Sequence, residues 1–164
     1  MGLCGGSRVK AEEIPTWEQD GIQFKLVAGE AFNRKSAVPV YSKLYMLEIK
    51  SQARQHVALG EHLYGESGLY ILEGGVETDC NDYGPKQMLV TKESHLCEFT
   101  IQGNSTIYIF GGEPFPEERF IDWNFVASDK ALIAAAKHRW IDHEFEKIIG
   151  EETEFVPYPN ILKQ

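Results

Sequence analysis

The sequence predicts an all-β chain, a sandwich or barrel of short strands, followed by one helix. Three observations carry this. Apolar residues recur with a period of two in several short runs, the signature of half-buried strands. Turn-forming residues separate those runs at roughly ten-residue intervals. Fifteen Gly, seven Pro, nine Phe, seven Tyr and three Trp supply the turns and bulky strand residues that such a fold uses.

Residues 1–16 mix Gly, Ser, Lys and Glu and close on Pro15, which reads as a flexible arm. In Ile22–Ala28, Ile22, Phe24 and Leu26 alternate with Gln23 and Lys25, and Gly29 is expected to end the strand. From Tyr41 to Lys50, Tyr45, Leu47 and Ile49 share one face, and Met46, Glu48 and Lys50 the other. Gln55–Leu59 is a short strand, and Gly68–Glu73 a stronger one. Gly74-Gly75 then allow a tight turn into Val76-Glu77-Thr78. Asn81–Pro85 reads as a loop, Gln87–Thr91 as a strand, and Leu96–Ile101 alternates before a turn at Gly103-Asn104. Ser105–Phe110 is the next strand, stopped by Gly111-Gly112.

The pattern changes after Pro116. Phe120–Val126 reads as one extended aromatic segment. Ser128 is expected to cap a helix, with Asp129 in its positive first turn. Leu132, Ile133, Ala136, Trp140 and Ile141 then recur at helical spacing. That spacing alone allows one long helix through Phe145 and Ile148 to Gly150. Pro157 and Pro159 bar a helix in the tail. The chain thus divides into an arm (1–16), a β-barrel (17–126) and a helix with tail (127–164).

Composition excludes several classes. The 164 residues suit one domain, or at most two small ones, long enough to bury a core without disulfides or zinc. Acidic residues outnumber basic ones by 25 to 16, a net charge of −9 that repels phosphate backbones, so no nucleic-acid partner is expected. No apolar run reaches the roughly 18 residues a membrane span needs, and no membrane partner is expected. Cys4, Cys80 and Cys97 lack CxxC spacing and suit a reduced, cytoplasmic thiol set. The start lacks the apolar stretch of a signal peptide, and Gly6 stands where a myristoylation site needs Ser or Thr. GxSxG, P-loop and GxGxxG motifs do not occur. His95 and Cys97 alternate on one strand, yet a buried, inert Cys is the commoner reading. His138 and His143 sit near the helix end, where positive charge is favourable. Glu113, Glu117, Glu118 and the later Glu144–Glu154 set read as a solvated face, with a basic partner as the alternative.

Gly111-Gly112-Glu113-Pro114, followed by Trp123-Asn124-Phe125-Val126 and then Glu154-Phe155-Val156-Pro157-Tyr158-Pro159, resembles the C-terminal half of the pirin family. Ala136, Trp140, Phe145 and Gly150-Glu151 fit between these motifs. Upstream, Gly21-Ile22 through Gly29-Glu30-Ala31-Phe32 and Ser36–Val40 look like the start of the same half. The resemblance covers about residues 17–159. It implies a single cupin jelly-roll β-barrel and a helix that breaks near Asp142-His143. Pirin-like proteins are bicupins that hold a metal through three His and one Glu in the N-terminal barrel. Some members are quercetin dioxygenases, and others are regulators that bind protein partners. This chain is similar to the C-terminal barrel alone, so no metal ligand carries over and no cofactor is expected.

A direct search for a cupin metal site gives little. Counting back from Gly74, the Glu position falls on Ser67, the second His on His62 and the first His on Gly60. A one-residue shift recruits Glu66 but places Glu61 and Leu63 at the His positions. The third His is expected near Gln102–Thr106, where there is none. His62, Glu66 and His95, joined by Glu61, form only a weak alternative set, short of the three well-placed ligands that iron or zinc needs.

The barrel interior is the expected ligand site. Alternation alone nominates Tyr45, Leu47, Leu69 or Tyr70, Phe99 and Tyr108 to line it, with His62 nearby. It does not say which face of each strand is inner. The expected function is a metal-free, non-catalytic module that binds a small molecule or a protein partner. The alternative is a cupin enzyme, dioxygenase- or isomerase-like, using a metal or a partner half. A homodimer is expected because the family pairs two barrels, with Trp17, Trp123 and Phe125 as candidates for the apolar contact face.

Overall fold

The computed structural model describes residues 9–78, 81–91, 98–147, 150 and 153–159. Its strands are β1 (Thr16–Gln19), β2 (Ile22–Ala31), β3 (Arg34–Lys35), β4 (Leu44–Ser51), β5 (Gln55–Ala58), β6 (Glu66–Glu73), β7 (Val76–Glu77), β8 (Asp82–Tyr83), β9 (Met88–Thr91), β10 (Glu98–Ile101), β11 (Ser105–Gly112), β12 (Phe120–Asp122) and β13 (Phe125–Ala127). The single α-helix, α1, spans Lys130–Ile141. Short 3-10 turns occupy Ala11–Glu13, inside the expected arm, and Gly60–His62. The chain falls into two compact units, one running to Pro114 and one beginning at Phe115.

The first unit is built from two antiparallel sheets. One has seven strands, ordered β1-β2-β4-β11-β6-β9, with β3 paired to the far end of β2. The other has four, ordered β5-β10-β7-β8. Among the described residues, ladder hydrogen bonds do not join the two sheets into a closed barrel. The protein is therefore mostly β, as expected, with a core pressed between sheets.

That core follows the alternation. Phe24 and Leu26 of β2, Tyr45, Leu47 and Ile49 of β4, Leu69 and Ile71 of β6, and Ile107 and Ile109 of β11 are all buried. Val57 of β5, Val76 of β7, and Phe99 and Ile101 of β10 meet them from the four-stranded sheet. Each such side chain contributes about 1.5–3 kcal/mol through burial.

Several boundaries differ from the sequence reading. β2 runs through Gly29 to Ala31 rather than stopping. Its register shifts between Leu26 and Ala28, leaving Val27 as a bulge. Gly29 takes φ +77°, and a Cβ there would lie 1.8 Å from the Leu44 carbonyl oxygen, so glycine admits the close approach of β4. β11 likewise continues through Gly111-Gly112, because β4 and β6 pair with it to its end. β8 lies inside the expected 81–85 loop. β1 was not anticipated, although Asp20 and Gly21 (φ +53° and +75°) close it onto β2 in a two-residue turn typical of hairpins.

In the second unit, the expected single segment 120–126 is a hairpin. It turns at Trp123-Asn124, with Trp123 at φ +52°. Asp129, not Ser128, caps α1: its side chain accepts a hydrogen bond from the Ala131 amide at 2.7 Å. The helix ends at Ile141, and His143 turns left-handed at φ +57°, so the break expected at Asp142-His143 is present. Trp140 organises this unit. Its ring meets Trp123, Phe125, Phe145 and Phe155, and its indole donates to the Val156 carbonyl at 2.9 Å.

No helix among the described residues is long and apolar enough to cross a membrane. Cys4, Cys80, Cys97 and His95 lie outside the described residues.

Candidate functional site, an aromatic-floored cationic cleft

The ligand candidates do not share one site. Tyr45 and Phe99 are core residues, 1% and 3% exposed. The Tyr45 hydroxyl shares a hydrogen bond with Ser67 Oγ, itself buried, at 2.5 Å. Burial pushes the Tyr45 phenol up, against the opposing pull of that bond. Tyr70 and Tyr108 stand opposite each other on the outer face of the seven-stranded sheet, not in the interior. Their neighbours Leu69, Ile71, Ile107 and Ile109 take the inner positions. Alternation places Tyr70 and Tyr108 outside by the same rule that puts Tyr45 inside; the inner parity of each strand becomes known only once the strands pair.

One end of that outer face is apolar, while the other carries the polar row Gln23, Lys50, Thr106 and Glu73. One row across the sheet reads Ala28, Met46, Phe110, Gly68 and Val90. The next reads Lys25, Glu48, Tyr108, Tyr70 and Met88. Val90, Met88 and the nearby Leu72 are exposed. Tyr108 donates to Glu48 Oε2 at 2.7 Å, and Lys50 pairs with the same carboxylate at 3.0 Å. Burial raises the Glu48 carboxyl, but these hydrogen bonds and the charges of Lys50 and Lys25 outweigh it and hold the group below the usual carboxylate range.

His62 sits elsewhere, at the end of its 3-10 turn, and lines an open cleft of about 470 Å³ with Phe32, Asn33, Arg34, Lys35, Lys43 and Tyr64. The sequence builds this cleft through a two-residue turn. Phe32 and Asn33 both take positive φ (+52° and +54°) and fold β3 back onto β2, pairing Ala31 with Arg34. A left-handed conformation costs a non-glycine residue about 1–2 kcal/mol. Here it aims the Phe32 ring at His62, with centroids 4.0 Å apart and planes within 26°. Trp17 and Phe24 support the same ring at 5.4 and 5.5 Å.

Charge in the cleft runs against the rest of the chain. Arg34, Lys35 and Lys43 face a single lining carboxylate, Glu30. Lys35 bonds Glu30 at 2.6 Å and holds its carboxyl below the ordinary range. Lys43 pairs with Glu113 and lies over the Tyr64 ring. The Arg34 guanidinium lies on the Trp17 ring, 4.6 Å from its centroid. Tyr64 donates to the carbonyls of Leu44 (2.9 Å) and Glu30 (3.1 Å). Burial, and then the Glu30 charge, push its phenol up, so it stays a donor. Its ring meets Tyr45 edge-on at 5.0 Å and thus ties the cleft wall to the core.

Phe32, Arg34, Lys43 and Tyr64 escaped the sequence reading. The turn signal was present in Asn33, between two strand-like runs. The residues that β3 and residues 43–64 bring to one place carry no shared local pattern. No three His, Cys, Asp or Glu among the described residues converge to hold a metal ion. Of the described members of the weak alternative set, His62 turns to Phe32 and Glu66 is exposed, so these two do not converge on a cupin metal centre.

Residues 46–146 match the pirin C-terminal cupin domain family. A pirin-like protein of Caulobacter vibrioides is 37% identical over 147 residues, covering 90% of this chain and 50% of the relative. A putative quercetin 2,3-dioxygenase of Pseudomonas aeruginosa is 27% identical, covering 78% of this chain and 41% of its own length. The chain thus spans about half the length of the curated relatives it matches. A quercetin 2,3-dioxygenase structure from Acinetobacter baumannii superposes with a TM-score of 0.75 at 23% identity, over 92% of this chain and 52% of that one, a likeness of fold.

Proposed function

Because the chain belongs to the pirin C-terminal cupin family, we propose that it is a metal-free jelly-roll module that binds a small molecule in the His62–Phe32 cleft and pairs with a second copy of itself. The cleft carries this reading. Phe32 is held in a left-handed conformation to form its floor, and cations concentrate there in a chain of net charge −9. The interior candidates Tyr45 and Phe99 are spent on packing.

The pairing rests on the apolar outer row Ala28, Met46, Phe110, Gly68 and Val90, which a solvated antiparallel sheet would normally fill with polar residues. Trp17, Trp123 and Phe125, the candidates for that contact, are instead engaged in ring contacts within the chain, Trp17 and Phe125 stacked and Trp123 edge-on. A cytoplasmic location belongs to the same proposal, and the absence of CxxC spacing among Cys4, Cys80 and Cys97 supports it.

The dioxygenase-named relatives favour a second reading, a cupin enzyme acting with a metal or a partner half. One assay separates the two. Purified chain is incubated aerobically with quercetin and, in turn, ferrous, manganous, nickel or cupric ion, and flavonol absorbance is followed. The module reading expects no turnover above the metal alone. Turnover that is lost in His62→Ala establishes the enzyme.

A further inference from the structure

We propose that the His62–Phe32 cleft selects a small aromatic monoanion, a flat ring bearing one carboxylate. The inference rests on the cleft's being the binding site and adds the chemistry of what it takes.

The head group follows from Arg34. Among the described residues no carboxylate meets its guanidinium, which is positioned by the Trp17 ring instead. Stacking on an aromatic face fixes a guanidinium in place and leaves its charge and its fork of N–H donors uncommitted, the arrangement that suits a bidentate carboxylate. Lys35 and Lys43 stand beside it in ion pairs exposed to water, which exchange partners readily. Asn33 and the His62 ring add polar groups to the same wall.

The body of the ligand follows from the floor. His62 is exposed and stacks on Phe32 at 4.0 Å with the planes 26° apart, so its outer ring face is the flat surface offered to a planar ring, where an aliphatic chain would leave gaps.

The single charge follows from the carboxylates already there. Glu30 lines the cleft and Glu113 holds Lys43. Together they offset most of the lysine charge. A monoanion is then matched by Arg34, whereas a phosphate dianion meets repulsion from both glutamates.

The test uses the whole chain, isotope-labelled, titrated with benzoate, benzyl alcohol, acetate and inorganic phosphate while amide resonances are followed by NMR. Benzoate is expected to shift Phe32, Asn33, Arg34 and His62 saturably, and more weakly as ionic strength rises. Benzyl alcohol, acetate and phosphate are expected to bind at least about tenfold more weakly, since each lacks the ring, the head group or the single charge. Arg34→Gln is expected to raise the benzoate Kd about tenfold, and Arg34→Lys to recover only part of the loss. Arg34 is exposed, so both variants keep the core intact.

Benzyl alcohol binding as well as benzoate, phosphate binding better than benzoate, an Arg34→Gln variant with unchanged affinity, or shifts confined to other regions would each overturn the proposal. Metal-dependent quercetin turnover would overturn the module reading alone. Failure of benzoate in a chain without turnover removes only the ligand class.

Discussion

The Tyr45–Ser67 pair offers the sharpest test of which residues serve packing and which serve binding. Both side chains are buried, and their hydroxyls share one hydrogen bond at 2.5 Å. Tyr45→Phe removes the phenol oxygen and strands the Ser67 hydroxyl where water does not reach. The lost bond is worth about 1 kcal/mol net, and leaving a buried polar group unpaired costs about 1–3 kcal/mol. The expected destabilisation is about 2 kcal/mol. Ser67→Ala strands the Tyr45 phenol in turn and costs about the same. The double variant removes both polar atoms together, so its cost falls well below the sum, with a coupling energy of about 1–2 kcal/mol. Urea denaturation of the four proteins measures this directly, and each single variant should also lose about 4–8 °C in Tm. Benzoate affinity should stay at the parent value in all four. A Tyr45→Phe protein as stable as the parent, or singles that simply add, would refute the buried pair. Lost ligand binding with stability intact would return Tyr45 to the role of ligand contact.

Three further outcomes follow from the geometry. Glu48 titrates below the usual carboxylate range, so its contribution is present above the unfolded-state pKa and is lost as pH falls through the folded one. Tyr108→Phe should therefore cost about 1 kcal/mol at neutral pH in a urea titration, and the gap from the parent should close in acid. Asp129→Ala should remove the cap on Ala131 and cost about 1 kcal/mol, read as faster amide exchange in the first turn of α1 with the sheets unaffected. Sedimentation velocity at micromolar concentration should show a dimer for the parent and a monomer for Val90→Lys, which puts a charge on the outer apolar row at a position already exposed. A parent that sediments only as monomer removes the pairing.

Much of the β framework was legible because alternation is a local property. Ile22, Phe24 and Leu26, or Tyr45, Leu47 and Ile49, announce a face within a few residues, and all six are buried. What alternation lacks is sign. Nothing within Leu69-Tyr70-Ile71 says that Leu69 and Ile71 point inward, because Tyr70 is as bulky as either; pairing with β11 and β9 settles it. The break after Ile141 was legible through motif resemblance, where periodicity alone permitted a longer helix. The Trp123 turn was not, since a left-handed tryptophan violates local preference and is held by edge-on contacts with Trp140, Phe125 and Tyr158.

The cleft was illegible for a different reason. Its elements are distant in sequence, and its central residue breaks a rule rather than obeying one. A hairpin turn with two positive φ angles ordinarily takes Asn-Gly, and Phe-Asn at that place costs stability. A turn needing only closure would gain from glycine at position 32. The aromatic ring there must contribute something glycine cannot. Part of it is packing, since Trp17 and Phe24 both touch the ring. Packing alone does not account for His62, an exposed side chain resting on the same ring, nor for Arg34, whose charge is parked on Trp17 instead of being neutralised. Each of the three is awkward as a structural device. They make sense together as the floor, wall and charge of one site. Their joint departure from local preference is the reason to look for a ligand at this hairpin rather than in the core between the sheets, where Tyr45 and Phe99 are buried in packing.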